Sequence, residues 1–306
     1  MRCAQLMKYR LFPSFLSLIL ILSLFGCSAP QKDTDSTPLF DGKKLKLLAI
    51  TSSFGVNTTE YLYDIAKAEG VEEIVIGRLY FGACTLQRHV RYAKEDTPDY
   101  TYYKNTDGQW VTKENVPMSE GLADEDWDII FIQQSAAKAA IPESYEDYVA
   151  QLIDHINRNK TNPDAKIIWN MTWAYQSDST QEVFVKDFQS DQDAMYRKIV
   201  ETVQEKVIPH TQIAAIVPSG TAIQNVRTSY FGDRLTEDTY HLNAYGKIIA
   251  GYTLFATLKG GPLEALNLKT VDQWITLSEL NQATFLEAVN NAIAIPYSVT
   301  PSTHTG

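Results

Sequence analysis

Cysteine and histidine are scarce in this sequence, and positive charge is outnumbered by negative; each shortage removes a class of function. There are three cysteines (Cys3, Cys27 and Cys84) and five histidines in 306 residues, so few positions could supply a thiolate or an imidazole. With 27 Lys and Arg against 37 Asp and Glu, the formal charge is −10, and the chain exerts no long-range attraction on a phosphate backbone. That argues against nucleic acid as a partner. Neither a glycine-rich phosphate loop nor a Walker pattern occurs, so nucleotide binding has no support. The glycines and prolines show no collagen period, and there is no internal repeat. What is present, 44% hydrophobic and 21% charged residues, is the composition of a globular protein with a sizeable core.

The first residues form a targeting segment. Lys8 and Arg10 precede the apolar run from Phe15 to Phe25, which Pro13 interrupts on its upstream side. This is too short for a comfortable bilayer span and has the order of a secretory signal. Leu24-Phe25-Gly26-Cys27 resembles the bacterial lipobox, which implies cleavage before Cys27 and a lipid on its thiol. Residues 1–26 are then a signal peptide, and 27–44 are a lipidated Cys27 with a flexible tether whose stretch from Gln31 to Pro38 is polar. The expected location is the bacterial cell envelope, with a water-soluble domain held at a membrane by lipid. Cys84 would be the remaining free thiol, leaving no intrachain disulfide.

The body, 45–295, alternates apolar runs with stretches of helical period. Strands are expected at Leu45–Thr51, Glu73–Tyr80, Asp128–Gln133, Lys166–Thr172 and Gln212–Pro218, each near-continuously apolar as in strands buried on both faces. Helices are expected at about Thr59–Glu69, Leu86–Lys94, Ser144–Asn159, Asp191–Val207, Ala244–Leu258 and Leu277–Ala292. This order predicts an α/β fold, a three-layer α/β/α sandwich on a mostly parallel sheet of about five strands. Residues 98–121 break the alternation with Tyr100, Tyr102, Tyr103, Trp110 and an Asp107-Gly108 turn signal. They predict an inserted hairpin, which either covers a sheet edge or offers an aromatic rim to a flat ligand such as a sugar. The turn-rich tail, 296–306, is expected to be loose.

In an open parallel sheet, ligands bind beyond the carboxyl ends of the strands. The residues there include Thr51-Ser52-Ser53, Phe81-Gly82-Ala83, Gln133-Gln134-Ser135, Trp173-Ala174-Tyr175 and Ser219-Gly220-Thr221, a set dominated by hydroxyls, amides and small residues. Among the histidines, His304 is in the tail, His155 lies on an amphipathic helix, His210 precedes a strand at the wrong end, and His89 reads as packing. His241 sits in Asp238-Thr239-Tyr240-His241, where three-residue spacing lets the carboxylate reach Nδ1 and fix the tautomer; a helix cap with a surface His is the plainer account of the same four residues.

Taken together, Ser53 after the first strand, Gly82 after the second, an amide after the third and a late Asp238-x-x-His241 resemble the four blocks of the SGNH (GDSL-type) hydrolase superfamily. Three longer runs, starting at Tyr61, Trp169 and Pro218, resemble an SGNH-like branch of bacterial exported proteins described as a domain of unknown function. The similarity covers about Leu45 to Gly260. It implies a flavodoxin-like sheet, Ser53 as nucleophile, His241 as base and then acid, and Asp238 as the orienting carboxylate. Oxyanion donors would be the backbone N–H groups of Ser53 and of the Gly82-Ala83 turn and the side chain of Gln134. Such a site needs no metal or cofactor. The first block departs from the superfamily, with Thr51-Ser52 where glycine and an acid or amide usually stand, so Ser52 competes with Ser53. Gln133 likewise competes with Gln134, and Ala83 replaces a glycine, which matters only if that position needs φ > 0.

The resulting expectation is a lipid-anchored serine esterase that deacylates, in the first instance deacetylates, carbohydrate esters, with Trp173 and Tyr175 stacking on sugar rings. The rival expectation is a carbohydrate-binding lipoprotein on the same fold with little or no catalytic activity.

Overall fold

Five apolar runs become five parallel strands, and the Tyr-rich insertion adds two antiparallel ones. In the computed structural model, residues 37–268, 270–271 and 275–306 are described, so the signal peptide, Cys27 and the tether up to residue 36 lie outside the described residues. The parallel strands are β1 (Lys44–Thr51), β2 (Glu73–Tyr80), β5 (Ile129–Ile132), β6 (Lys166–Asn170) and β7 (Ile213–Val217). The hairpin supplies β3 (Tyr100–Asn105) and β4 (Trp110–Val116). Sheet order is β4-β3-β2-β1-β5-β6-β7, so the sheet has seven strands rather than about five. Its parallel part runs in the doubly wound order whose switch point lies between β1 and β5.

The strand chemistry explains the layering. All four residues of β5 are buried, as is β1 from Leu47 onward, so both faces of the central strands need cover. Helices supply it. One group comprises α1 (Ser53–Thr59), α2 (Leu62–Ala68), α8 (Ser219–Arg227), α9 (Ala244–Lys259) and α10 (Glu279–Ala294), with α1, α2, α8 and α10 all packed on α9. The other comprises α3 (Leu86–Glu95), α4 (Met118–Ala123) and α5 (Tyr148–Asn159), which pack on one another. Two further helices, α6 (Glu182–Phe188) and α7 (Gln192–Lys206), lie between β6 and β7 in the chain. A two-stranded ribbon, Thr270–Val271 with Ile275–Thr276, precedes α10.

Differences from the sequence reading have local causes. The expected helix at Thr59–Glu69 is two helices, and the first begins at Ser53 itself. The α8 helix was not foreseen because its residues from Ser219 to Val226 are all buried despite being mostly small or polar, so no apolar stripe marks it. The tail is not loose. Thr300 N donates to Asn225 Oδ1 at 2.8 Å, Ser302 N donates to Thr228 Oγ1 at 2.8 Å, and Tyr230 N donates to His304 O at 2.8 Å. Turn residues here mark backbone that bonds to a neighbouring helix instead of to itself.

The hairpin forms as its turn signal predicts. Gly108 has φ +93° and its N–H donates to Asn105 Oδ1 at 2.8 Å, closing a turn that a Cβ-bearing residue would strain. Register then sets which side chains share a face, with Arg78 opposite Tyr103 and Tyr103 opposite Thr112.

Candidate active site

β1 ends at Thr51, and the chain turns at once into α1, so Ser53 stands in the first helical turn beyond a strand's carboxyl end. At the other side of the site, Asn243 caps α9 by accepting from Tyr245 N at 3.1 Å and Gly246 N at 3.2 Å, which anchors the loop that carries Asp238 and His241. Leu242 N donates to Asn57 Oδ1 at 2.9 Å, tying that loop to α1 one turn beyond Ser53.

These anchors bring three side chains into line. Nδ1 of His241 is 2.6 Å from Asp238 Oδ2, and Nε2 is 2.8 Å from Ser53 Oγ. A carboxylate only accepts, so the neutral ring carries its proton on Nδ1 and the Ser53 hydroxyl donates to Nε2. Asp238 Oδ1 also accepts from the N–H of His241 at 2.7 Å and of Tyr240 at 3.3 Å. Partial burial works against charge on Asp238, but the ring and the two backbone donors outweigh it and hold the carboxyl below its ordinary range.

Ser52 does not share this geometry. It is buried, and its Oγ accepts from Gln133 Nε2 at 3.4 Å, so between the two competing serines it is Ser53 that meets the histidine. The amides depart from expectation. Gln134 donates to Ser144 O and Oγ, both at 3.1 Å, while its Oε1 accepts from Leu86 N and Ser135 N. All its capacity goes into holding the loop after β5 against α3, and it is not directed at Ser53. Gln133 is also committed, its Oε1 accepting from Asn170 Nδ2 at 2.9 Å. Gly82 lies behind Tyr80, since a Cβ placed there would be 3.4 Å from the hydroxyl of Tyr80, a residue that lines the cleft beside Ser53. Its neighbour Ala83 has φ +51°, the left-handed conformation for which glycine is favoured, so the replacement is a strained one.

Trp173 and Tyr175 are corrected as well. Both are buried, Trp173 fully, and so neither is open to a ligand. Trp173 stacks on Phe54 with ring centroids 4.1 Å apart, and its Nε1 donates to Tyr240 O at 2.8 Å. Tyr175 packs on Tyr240 at 5.5 Å. Together they support the residues on either side of Ser53 and His241 from beneath.

The exposed aromatics lie elsewhere. A cleft of about 490 Å³ opens beside Ser53 and His241, lined on its far side by Arg78, Tyr80, Tyr103, Trp110 and Thr112. Arg78 is 4% exposed, its Nε donates to Thr59 Oγ1 at 2.8 Å, its Nη2 lies 3.1 Å from Glu60, and its guanidinium sits 3.6 Å over the Trp110 ring. Burial lowers its pKa to about 10, so it stays charged at neutral pH. The sequence reading missed Arg78 and Glu60; the available signal was a lone arginine inside an otherwise apolar strand. The remaining histidines stay apart from the site, with His89 fully buried against Tyr100. Cys84 is buried too, which raises its thiol pKa to about 12 and keeps it protonated.

A doubly wound α/β fold with a Ser-His-Asp alignment at the carboxyl edge of its sheet is thus the class of molecule defined here. The chain belongs to the DUF4886 family, described as a domain of unknown function, which matches residues 46–278. A crystal structure of a DUF4886 family protein from Bacteroides uniformis ATCC 8492 is similar to it, with 32% identity and a TM-score of 0.77 over 84% of this chain and 98% of that one. No curated protein matches the chain. Among the described residues no helix is long and apolar enough to cross a membrane.

Proposed function

We propose that this protein is an SGNH-type serine esterase that transfers an acyl group from an ester to water, with O-acylated carbohydrates as its substrate class. The observation that carries the reading is the continuous line from Ser53 Oγ through the His241 ring to Asp238, at 2.8 and 2.6 Å. A serine hydroxyl is a weak nucleophile near neutral pH, and an adjacent oriented imidazole is the usual remedy. Ser53 Oγ attacks the ester carbonyl carbon while its proton passes to His241 Nε2. The tetrahedral intermediate collapses, the bond to the alcohol oxygen breaks, and His241 returns the proton to the leaving alcohol. Water, deprotonated by the same ring, then attacks the acyl-Ser53 ester; the acyl–Oγ bond breaks, the imidazolium returns its proton to Ser53 Oγ, and the acid is released. Asp238 steadies the imidazolium in both halves.

The oxyanion would be met by backbone donors. The N–H of Ser53 lies in the first turn of α1, where no intrahelical carbonyl is available to it, and the Gly82-Ala83 turn, next to Tyr80 of the cleft lining, would supply the second donor. Gln134 has no part in this version. The same reading places the enzyme at the cell envelope through lipid on Cys27, and Cys27→Ser is then expected to shift it from the membrane to the soluble fraction.

The test of the chemistry uses the soluble body from residue 31 onward and a chromogenic acetyl ester. Parent turnover that falls by about three orders of magnitude or more in Ser53→Ala and in His241→Ala, with unchanged circular dichroism, supports the esterase. A folded parent that is inactive, or variants that match it, points to the carbohydrate-binding lipoprotein instead.

A further inference from the structure

We infer that the hairpin side of the cleft is a binding subsite for an uncharged pyranose ring, and that this ring carries the ester presented to Ser53. The second half rests on the esterase reading above; the first does not.

Cross-strand register builds the floor. Arg78 on β2 pairs opposite Tyr103 on β3, and Tyr103 opposite Thr112 on β4, so these three side chains form one row on one face of the sheet. Tyr80 and Trp110 lie two residues from Arg78 and Thr112 along their strands and therefore share that face. Tyr80 and Tyr103 have ring centroids 6.2 Å apart and planes tilted by 58°, which makes an aromatic corner that a sugar ring can seat against. Ser53 and His241 line the same cleft, so a ring resting on this surface is within reach of the hydroxyl. A cleft of about 490 Å³ falls within the ~300–1,000 Å³ of small-molecule sites.

The polar groups select the ligand's chemistry. Arg78, 4% exposed, is bonded to Thr59 and Glu60 and stacked on Trp110, so it fixes the Trp110 ring and the Glu60 carboxylate in place from behind the cleft surface. Glu60, about one-third exposed, offers carboxylate oxygens to hydroxyl donors. The hydroxyls of Tyr80, Tyr103 and Thr112 with the Glu60 carboxylate, set among aromatic rings, suit a polyhydroxylated ring with an apolar C–H face. Charge then discriminates. Both carboxylates of the cleft lining are paired, Glu60 with Arg78 at 3.1 Å and Glu237 with Lys247 at 3.7 Å. With these cations engaged and Asp238 close by on His241, a ligand carboxylate would find no free cation among the described lining residues to meet it.

The test compares matched esters, methyl tetra-O-acetyl-glucopyranoside and the corresponding tri-O-acetyl-glucuronoside, with ethyl acetate as the small reference. The parent is expected to favour the neutral glycoside over the glucuronoside by about tenfold or more in kcat/KM. Trp110→Ala is expected to lower the ratio of glycoside to ethyl acetate turnover about tenfold, through KM. Tyr103→Leu serves the same purpose should Trp110→Ala fail to fold. Binding of the neutral glycoside to Ser53→Ala is measured by calorimetry, with and without Trp110→Ala. Ser53-dependent turnover with an unchanged ratio, or with the glucuronoside preferred, overturns the subsite and leaves the esterase standing. Absence of turnover on every ester, with glycoside binding that Trp110→Ala abolishes, overturns the esterase and leaves the subsite. Absence of calorimetric binding to Ser53→Ala overturns the subsite directly.

Discussion

Gln176 donates its backbone N–H to the carbonyl of Thr239 at 2.7 Å, and Thr239 holds a φ of +75° between Asp238 and His241. A β-branched residue in the left-handed region persists only where its surroundings hold it there. Gln176 supplies much of that hold, since its Oε1 also accepts a short hydrogen bond from Thr236 Oγ1, and Thr239 Oγ1 donates to Ser179 Oγ at 3.0 Å. Gln176 touches no reacting group and is a positioning residue. Gln176→Ala keeps the backbone bond to Thr239 but removes the side-chain bond to Thr236, and is expected to lower kcat about tenfold with little change in KM, because a loosened loop misplaces His241 without altering the cleft. Steady-state kinetics with the chromogenic ester check this; an unchanged kcat would show that the loop holds itself.

Asp238 fixes which nitrogen of His241 faces Ser53. An asparagine at this position can present its amide N–H to Nδ1, and the ring then turns its proton toward Ser53, where an acceptor is required. Asp238→Asn is therefore expected to cost about 10²- to 10⁴-fold in kcat near neutral pH. Turnover of the chromogenic ester at steady state tests this; an Asp238→Asn variant as active as the parent would show that the side chain only braces the loop.

The Ser53–His241–Asp238 alignment was legible because its signals are local: a serine just past a strand, and a carboxylate three residues before a histidine. The cleft floor was not, because Arg78 and Trp110 are brought together by the register of an antiparallel hairpin, which residue types alone do not specify. Trp173 and Tyr175 misled for a related reason. Strand ends are the natural place for ligand contacts, but here the loop above them bends down and covers both rings with Tyr240. Adjacent Gln133 and Gln134 illustrate the limit of position reading, since one turns toward Ser52 and the other toward Ser144.

His89 makes stability depend on pH. It is fully buried, its Nδ1 is 2.8 Å from the Tyr100 hydroxyl, and burial followed by the nearby charge of Arg88 lowers its pKa from 6.5 to about 3. Between those two values the unfolded chain binds a proton that the folded chain does not, so stability falls as pH falls through that window. The limiting slope for one such group is ~1.4 kcal/mol per pH unit. Urea unfolding from pH 7 to pH 4 is expected to give a flatter dependence for His89→Gln than for the parent. Parallel curves would remove His89 from the account.

Gly220 is where backbone meets backbone under the site. A Cβ on this residue would stand 2.2 Å from the carbonyl oxygen of Thr172 and 2.9 Å from its carbon, while the N–H of Gly220 donates to Met171 O at 2.8 Å. Neither contact partner is a side chain that can swing away, so the start of α8 and the segment Thr172-Trp173 just after β6 must move apart, which displaces Trp173. Gly220→Ala is expected to destabilise by about 2–4 kcal/mol. Because Trp173 supports Tyr240 next to His241, the proposed esterase turnover is expected to fall in the fraction that remains folded. Gly261→Ala is the control, since its Cβ would meet nothing within 4 Å, and it should stay within about 0.5 kcal/mol of the parent. Denaturant midpoints for the two variants decide the matter: equal shifts would mean that α8 can slide on β6 without loss.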